Sequence, residues 1–142
     1  MPEITVGARG YIGNWAQDLF RRQFPEAVSG PLYAYYDFIC RDKKHEIKGR
    51  APGKYTYVER YGSIMVEDKD YDLDTILWIR YPELQGWYIA RWKVIKPFCI
   101  LENLNRRGSL QNKKYGTEEM RDGCCYNIPK RVFVFAADSE LA

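Results

Sequence analysis

Apolar side chains recur along this chain with two different periods, and the periods divide it into elements. From Gly10 to Phe24 the spacing is helical. Ile12, Ala16, Leu19, Phe20 and Phe24 fall on one face, and Pro25 stops the pattern. After the loop PEAVSGP, residues Leu32 to Cys40 (LYAYYDFIC) are dense in aromatic and branched side chains and read as a strand. Arg41 to Lys44 form a polar turn, and His45 to Arg50 return as an antiparallel strand. The stretch 51–66 opens with a Gly/Pro loop and then has no dominant period. Asp74 to Tyr81 and Trp87 to Ile95 form a further strand pair about the turn PELQG. Beyond Pro97 the pattern predicts a short helix near 117–122 and a strand over Arg131 to Ala136. No repeat, low-complexity tract or interdomain linker interrupts the series. Its order predicts a single α/β domain, a central mixed β-sheet flanked by helices.

Composition adds limits. The chain has 142 residues, 46% hydrophobic and 29% charged, in the range of an ordinary globular domain rather than a disordered one. No run of about 18 apolar residues exists to cross a membrane. The opening MPEITVGARG lacks the apolar core of a secretion signal, so the expected location is the cytoplasm, with a microbial or phage setting plausible. The cysteines (Cys40, Cys99, Cys124 and Cys125) contain no Cys-x-x-Cys spacing, and His45 is the only histidine. Zinc and Ser-His-Asp or Cys-His catalysis are therefore disfavoured, and the cysteines read as reduced, mostly buried thiols. Aromatics reach 15%, with 12 Tyr and 4 Trp. The core explains those on or beside the strands. Tyr55, Tyr57, Tyr61 and Tyr115 lie outside the firm elements and are candidates for an interface.

Charge is patchy. The net value is +3, yet residues 41–60 carry seven cations against three acids, and 103–114 carry four cations and no acid. Residues 67–74, EDKDYDLD, hold five acids and one lysine. An EF-hand beginning at Asp68 would put Leu73 where glycine is required and Ile79 where the bidentate Glu belongs, so the acidic run reads as a polar turn. The letters YIG at Tyr11 to Gly13 resemble part of a GIY-YIG signature, but no GIY precedes them and the segment reads as a helix start.

The chemistry concentrates at Asp37 and at Glu46-Ile47-Lys48. Strand alternation turns Glu46 and Lys48 to one face and Ile47 into the core. A hairpin would bring Asp37 alongside, grouping two carboxylates with one ammonium. Such a group suits a hard divalent cation, which takes one or two carboxylates and keeps several waters. Asp37, eight residues, then Glu46-Ile47-Lys48 resembles the PD-(D/E)xK nuclease superfamily. Gly13, Gln17, Phe20 and Phe24 in the preceding helix resemble that superfamily's leading helix. Tyr36 stands where the motif's name has proline, and Gln17 stands where many members carry Glu.

The resemblance covers about residues 10–95 and implies a restriction-endonuclease-like core, with about 96–142 as a C-terminal extension for DNA contact or oligomerisation. It implies Asp37, Glu46, Lys48 and Gln17 as catalytic residues. Asp37, Glu46 and Ile47 would hold Mg²⁺, for which Mn²⁺ substitutes. The expected activity is sequence-specific cleavage of DNA, of restriction or homing type. The alternatives are a Holliday-junction resolvase-like nuclease and a non-catalytic nucleic-acid-binding protein of the same fold. The basic blocks assign double-stranded DNA to Arg41, Lys43, Lys44, Arg50, Lys54, Arg106, Arg107, Lys113 and Lys114. One site per chain against two strands favours a homodimer or higher homo-oligomer.

Overall fold

A computed structural model describes residues 9–31, 34–111 and 123–141. In chain order the elements are α1 (Arg9–Gln23), β1 (Val28–Ser29), β2 (Phe38–Cys40), β3 (Lys43–Gly49), α2 (Tyr55–Tyr61) and β4 (Ser63–Glu67). They continue with β5 (Ile76–Arg80), β6 (Gly86–Arg91), α3 (Trp92–Ile95), α4 (Arg106–Gln111), β7 (Cys125–Pro129), β8 (Val134–Ala137) and α5 (Asp138–Leu141). Six strands form one mixed sheet in the order β1-β2-β3-β5-β6-β8, and β4 pairs with β7 in a second, two-stranded sheet. Among the described residues only β3 and β5 run parallel; the other neighbours are antiparallel.

The main sheet buries both faces, which is why its central strands ILWIR and GWYIAR are apolar nearly throughout. On one face, Trp15, Ala16 and Phe20 of α1 pack against Phe38, Ile47, Trp78 and Trp87. On the other, Leu77, Ile79, Tyr88 and Ala90 meet Val58 of α2, Ile64 and Val66 of β4, and Tyr126 and Ile128 of β7. Helix α1 approaches β3 closely at Gly49, where a Cβ would stand 2.7 Å from the Ile12 carbonyl oxygen and 3.0 Å from the Ala16 Cβ. At the far end of the sheet, Arg80 makes a bidentate pair with Asp138 at 2.6 and 2.8 Å. Asp138 also accepts from Gln23 at 2.8 Å, and Gln23 accepts from the Trp87 indole at 2.7 Å, tying α5 to α1.

The mixed-sheet expectation holds, with corrections in detail. The strand expected over 32–40 is reduced to Phe38–Cys40; Ala34 to Asp37 lie outside strands, and Leu32 and Tyr33 lie outside the described residues. The loop after α1 supplies β1, whose exposed pair Val28–Ser29 carries no periodicity to read. The polar turn shortens to Arg41 and Asp42, both with positive φ (53° and 60°), as a two-residue hairpin turn demands. The ambiguous stretch resolves into α2 and β4. Trp92 to Ile95 leaves the strand to form α3. The final strand begins at Val134, after a single 3₁₀ turn at Lys130–Val132. The core does not end near residue 95: β7 completes the second sheet, and β8 forms an edge of the first. The helix expected near 117–122 lies outside the described residues.

Among the described residues no helix is long and apolar enough to cross a membrane. Cys40, Cys124 and Cys125 are buried and Cys99 is half-buried.

Candidate functional site

Asp37 lies where β2 begins. Its N–H donates to the His45 carbonyl at 2.8 Å, while Phe38 is the register partner of His45. His45 thus faces two consecutive residues, the arrangement of a β-bulge, which re-aims the side chain beside it. The Asp37 carboxylate turns into the sheet edge and accepts the Ile47 N–H through Oδ2 at 2.8 Å. Its Oδ1 accepts from the Gln17 side-chain amide of α1 at 3.2 Å. Close packing of α1 on Gly49 is what carries Gln17 this far.

Glu46 and Lys48 point away from α1, and Ile47 points toward it, as alternation requires. Glu46 is 7% exposed, against the ordinary preference of a carboxylate for solvent. The Lys48 ammonium stands 3.6 Å from Glu46 Oε2 and keeps partial access to solvent. Burial, then a hydrogen bond and like charge from Glu46, push Asp37 up to about 7; the Ile47 N–H and Lys48 oppose the shift. Asp37 therefore keeps its proton up to near neutrality, as a buried carboxyl beside a second one does.

Tyr71 lies beside Glu46. It is 5% exposed and stacks edge-on against Trp92, with ring centroids 5.0 Å apart. Its hydroxyl turns toward Glu46, and among the described residues no group completes a hydrogen bond to it. Burial and the Glu46 carboxylate hold this phenol protonated far above its ordinary range. Tyr71 was concealed in the sequence as one aromatic within an acidic run; that isolation was the available signal. Arg50 follows β3, donates to the Met65 carbonyl at 2.8 Å, and stands within reach of the Tyr81 hydroxyl.

The structure thus brings together Asp37, Glu46, Lys48 and Gln17. The Ile47 side chain is committed to the core. Its main-chain carbonyl points to the same strand edge as its N–H, the edge that Asp37 occupies. Among the described residues no three His, Cys, Asp or Glu side chains gather as a metal set. The donors at hand are two carboxylates, an amide and a carbonyl, all oxygen, with the unpartnered Tyr71 hydroxyl above them. That set suits a hard cation retaining most of its water, not zinc.

The basic residues are dispersed. Arg41 pairs with Glu26 at 3.2 Å, and Lys44 pairs with Asp72 while lying 5.2 Å from the Tyr36 ring centroid. Lys43 is exposed beside the hairpin turn, about 10 Å along the strands from Asp37. Lys54 lies over the Tyr57 ring at the start of α2. Arg106 and Arg107 are exposed on α4, against the second sheet. Lys113, Lys114 and Tyr115 lie outside the described residues.

His45, the sole histidine, is structural. Its Nδ1 accepts from the Trp78 indole at 2.9 Å, so Nε2 carries the proton and donates to the Cys40 carbonyl at 3.1 Å. Comparison with known proteins gives no family-model match and no match among curated proteins or solved structures.

Proposed function

We propose that this chain is a Mg²⁺-dependent DNA endonuclease of the PD-(D/E)xK kind, hydrolysing phosphodiester bonds at Asp37, Glu46 and Lys48. The observation that carries the reading is the convergence of two carboxylates on one edge of β3, with Lys48 3.6 Å from one of them and Gln17 and the Ile47 N–H orienting the other. Two carboxylates buried at such proximity repel unless a proton or a cation lies between them. An ion of Mg²⁺ type would be held by Asp37, Glu46 and the Ile47 carbonyl, with Mn²⁺ as a substitute.

When bound, the ion neutralises charge on the phosphoryl oxygens and acidifies a bound water. The protein does the rest. Gln17 and the Ile47 N–H fix the Asp37 carboxylate, so that it need not reorganise during the reaction. Lys48, half shielded from water, offers its ammonium to the charge that builds on the phosphate. Tyr71 excludes bulk water from the Glu46 side and offers a neutral O–H. Arg50 and Lys54 follow the catalytic strand and suit backbone phosphates, with Lys43 at the hairpin. Cutting both strands of a duplex calls for a symmetric pair of chains.

The test is conversion of supercoiled plasmid to open-circular and linear forms with Mg²⁺ and with EDTA. Cleavage that requires the ion and falls at least 100-fold in Lys48→Ala, with DNA binding retained, is expected. Absence of cleavage on plasmid, linear duplex and four-way junction alike, with binding intact, refutes the enzyme and leaves a DNA-binding protein.

A further inference from the structure

Lys48 belongs to a row that crosses the main sheet. Lys48 pairs with Ile79, Ile79 with Tyr88, and Tyr88 with Phe135. Cross-strand partners share a face, so all four side chains point to the same side, and Phe135 lies about 14 Å from Lys48 across three inter-strand gaps. The far end of this row is a concave surface of about 510 Å³.

Tyr55, Tyr88, Phe133 and Phe135 form its aromatic walls, and Lys130 and Arg131 stand at its side. Among the described residues no carboxylate lines it directly, although the Glu59 charge acts on Tyr88. The rings are held in place. Phe135 meets Tyr88 with centroids 5.1 Å apart, and the Tyr55 and Tyr88 hydroxyls lie 3.5 Å apart. Gly86 makes room for Phe135, since a Cβ there would come within 2.4 Å of its ring. Yet Phe135 remains 41% exposed. The exposed Phe135 face and the half-buried Tyr55 ring, beside Lys130 and Arg131, match a flat base joined to a phosphate. The row between is buried, with Ile79 at 0% and Tyr81 at 3% exposure; Tyr55 packs on Tyr81, and Arg50 stands beside Tyr81 at the Lys48 end.

We propose that this groove binds unpaired nucleotides of a nucleic-acid strand, a base against Phe135 and Tyr55 and its phosphate against Lys130 and Arg131, while the strand continues past Arg50 to Lys48. The inference rests on the nuclease reading for its choice of nucleic acid, and it assigns that site a single-stranded segment flanking the cut.

Fluorescence anisotropy of a fluorescein-labelled dT12 oligonucleotide tests it, with the full chain in EDTA so that cleavage plays no part. Phe135→Leu, which preserves bulk but removes the π-face, is expected to weaken binding about tenfold. Lys130→Gln with Arg131→Gln, both at exposed positions, is expected to reduce the slope of log affinity against log salt by about 0.7, one phosphate's worth for a single strand. Near-UV circular dichroism checks that each variant is folded. Unchanged affinity in Phe135→Leu overturns the proposal, whatever the charge variant does, because stacking is then absent. No measurable binding of dT12 by the wild type overturns it as well. A protein that nicks plasmid but is indifferent to Phe135 refutes the groove alone. One that binds dT12 through Phe135 yet cuts no DNA refutes the nuclease alone.

Discussion

Neutralising Asp37 is expected to stabilise the fold in the absence of metal. The carboxyl is pushed from 3.8 up to about 7 by burial and by Glu46. A shift of that size corresponds to a ceiling of about 4 kcal/mol against folding once Asp37 is fully ionised. The sign follows from linkage. A carboxyl whose folded value is raised favours folding below the unfolded value, and that contribution is lost as pH rises through the folded value. Between pH 6 and pH 8 the wild type should therefore lose about 1.4 kcal/mol from this group.

Asp37→Asn removes the repulsion and still accepts the Ile47 N–H, while its NH2 replaces the Oδ1 that accepts from Gln17, so the Gln17 amide must turn its oxygen toward it. The weaker neutral acceptor returns about 1–2 kcal/mol of the gain. The net expectation at pH 8 in EDTA is about 2 kcal/mol of added stability, a rise in Tm of about 6 °C. Urea unfolding at pH 6, 7 and 8 reads it directly. A variant no more stable than wild type at pH 8, with the same dependence on pH, refutes the account of a raised Asp37 carboxyl beside Glu46.

His45 is pushed below its usual 6.5 by burial, so its contribution to folding is present above that value and is lost as pH falls through the lowered one. Tryptophan fluorescence should report loosening around Trp78 in acid; His45→Phe should flatten that response while costing about 1–3 kcal/mol at neutral pH. Gly49→Ala should cost about 1–3 kcal/mol by urea unfolding and reduce plasmid nicking further, since α1 must retreat and carry Gln17 away from Asp37. Asp138→Asn should destabilise by about 3 kcal/mol, because Arg80 is 5% exposed and would retain a charge without its carboxylate.

Periodicity made α1, β3, β5 and β6 legible, because each buries a face wide enough to impose a period. It could not reach α2, whose seven residues YTYVERY bury only Val58. Nor could it reach β7, five residues whose partner strand β4 lies 58 or more positions earlier. Alternation along β3 was enough to group Glu46 with Lys48 and separate Ile47. The rest of the site depends on features with no local pattern. The bulge at Asp37 arises from the pairing of β2 with β3. Tyr71 arrives from a loop that reads as a polar turn, and its role follows from packing on Trp92. The Tyr55 and Phe135 groove joins α2 to β8, elements 70 or more residues apart in sequence.

The account's central claim is that Asp37, Glu46 and Lys48 act as one metal-dependent cleavage site. The most direct measurement is plasmid nicking by wild type and Glu46→Gln purified side by side, in Mg²⁺ and in EDTA. The account predicts Mg²⁺-dependent nicking by the wild type and a loss of at least 100-fold in Glu46→Gln, with both proteins folded and binding DNA. Equal nicking by the two proteins, or none by the wild type, contradicts it.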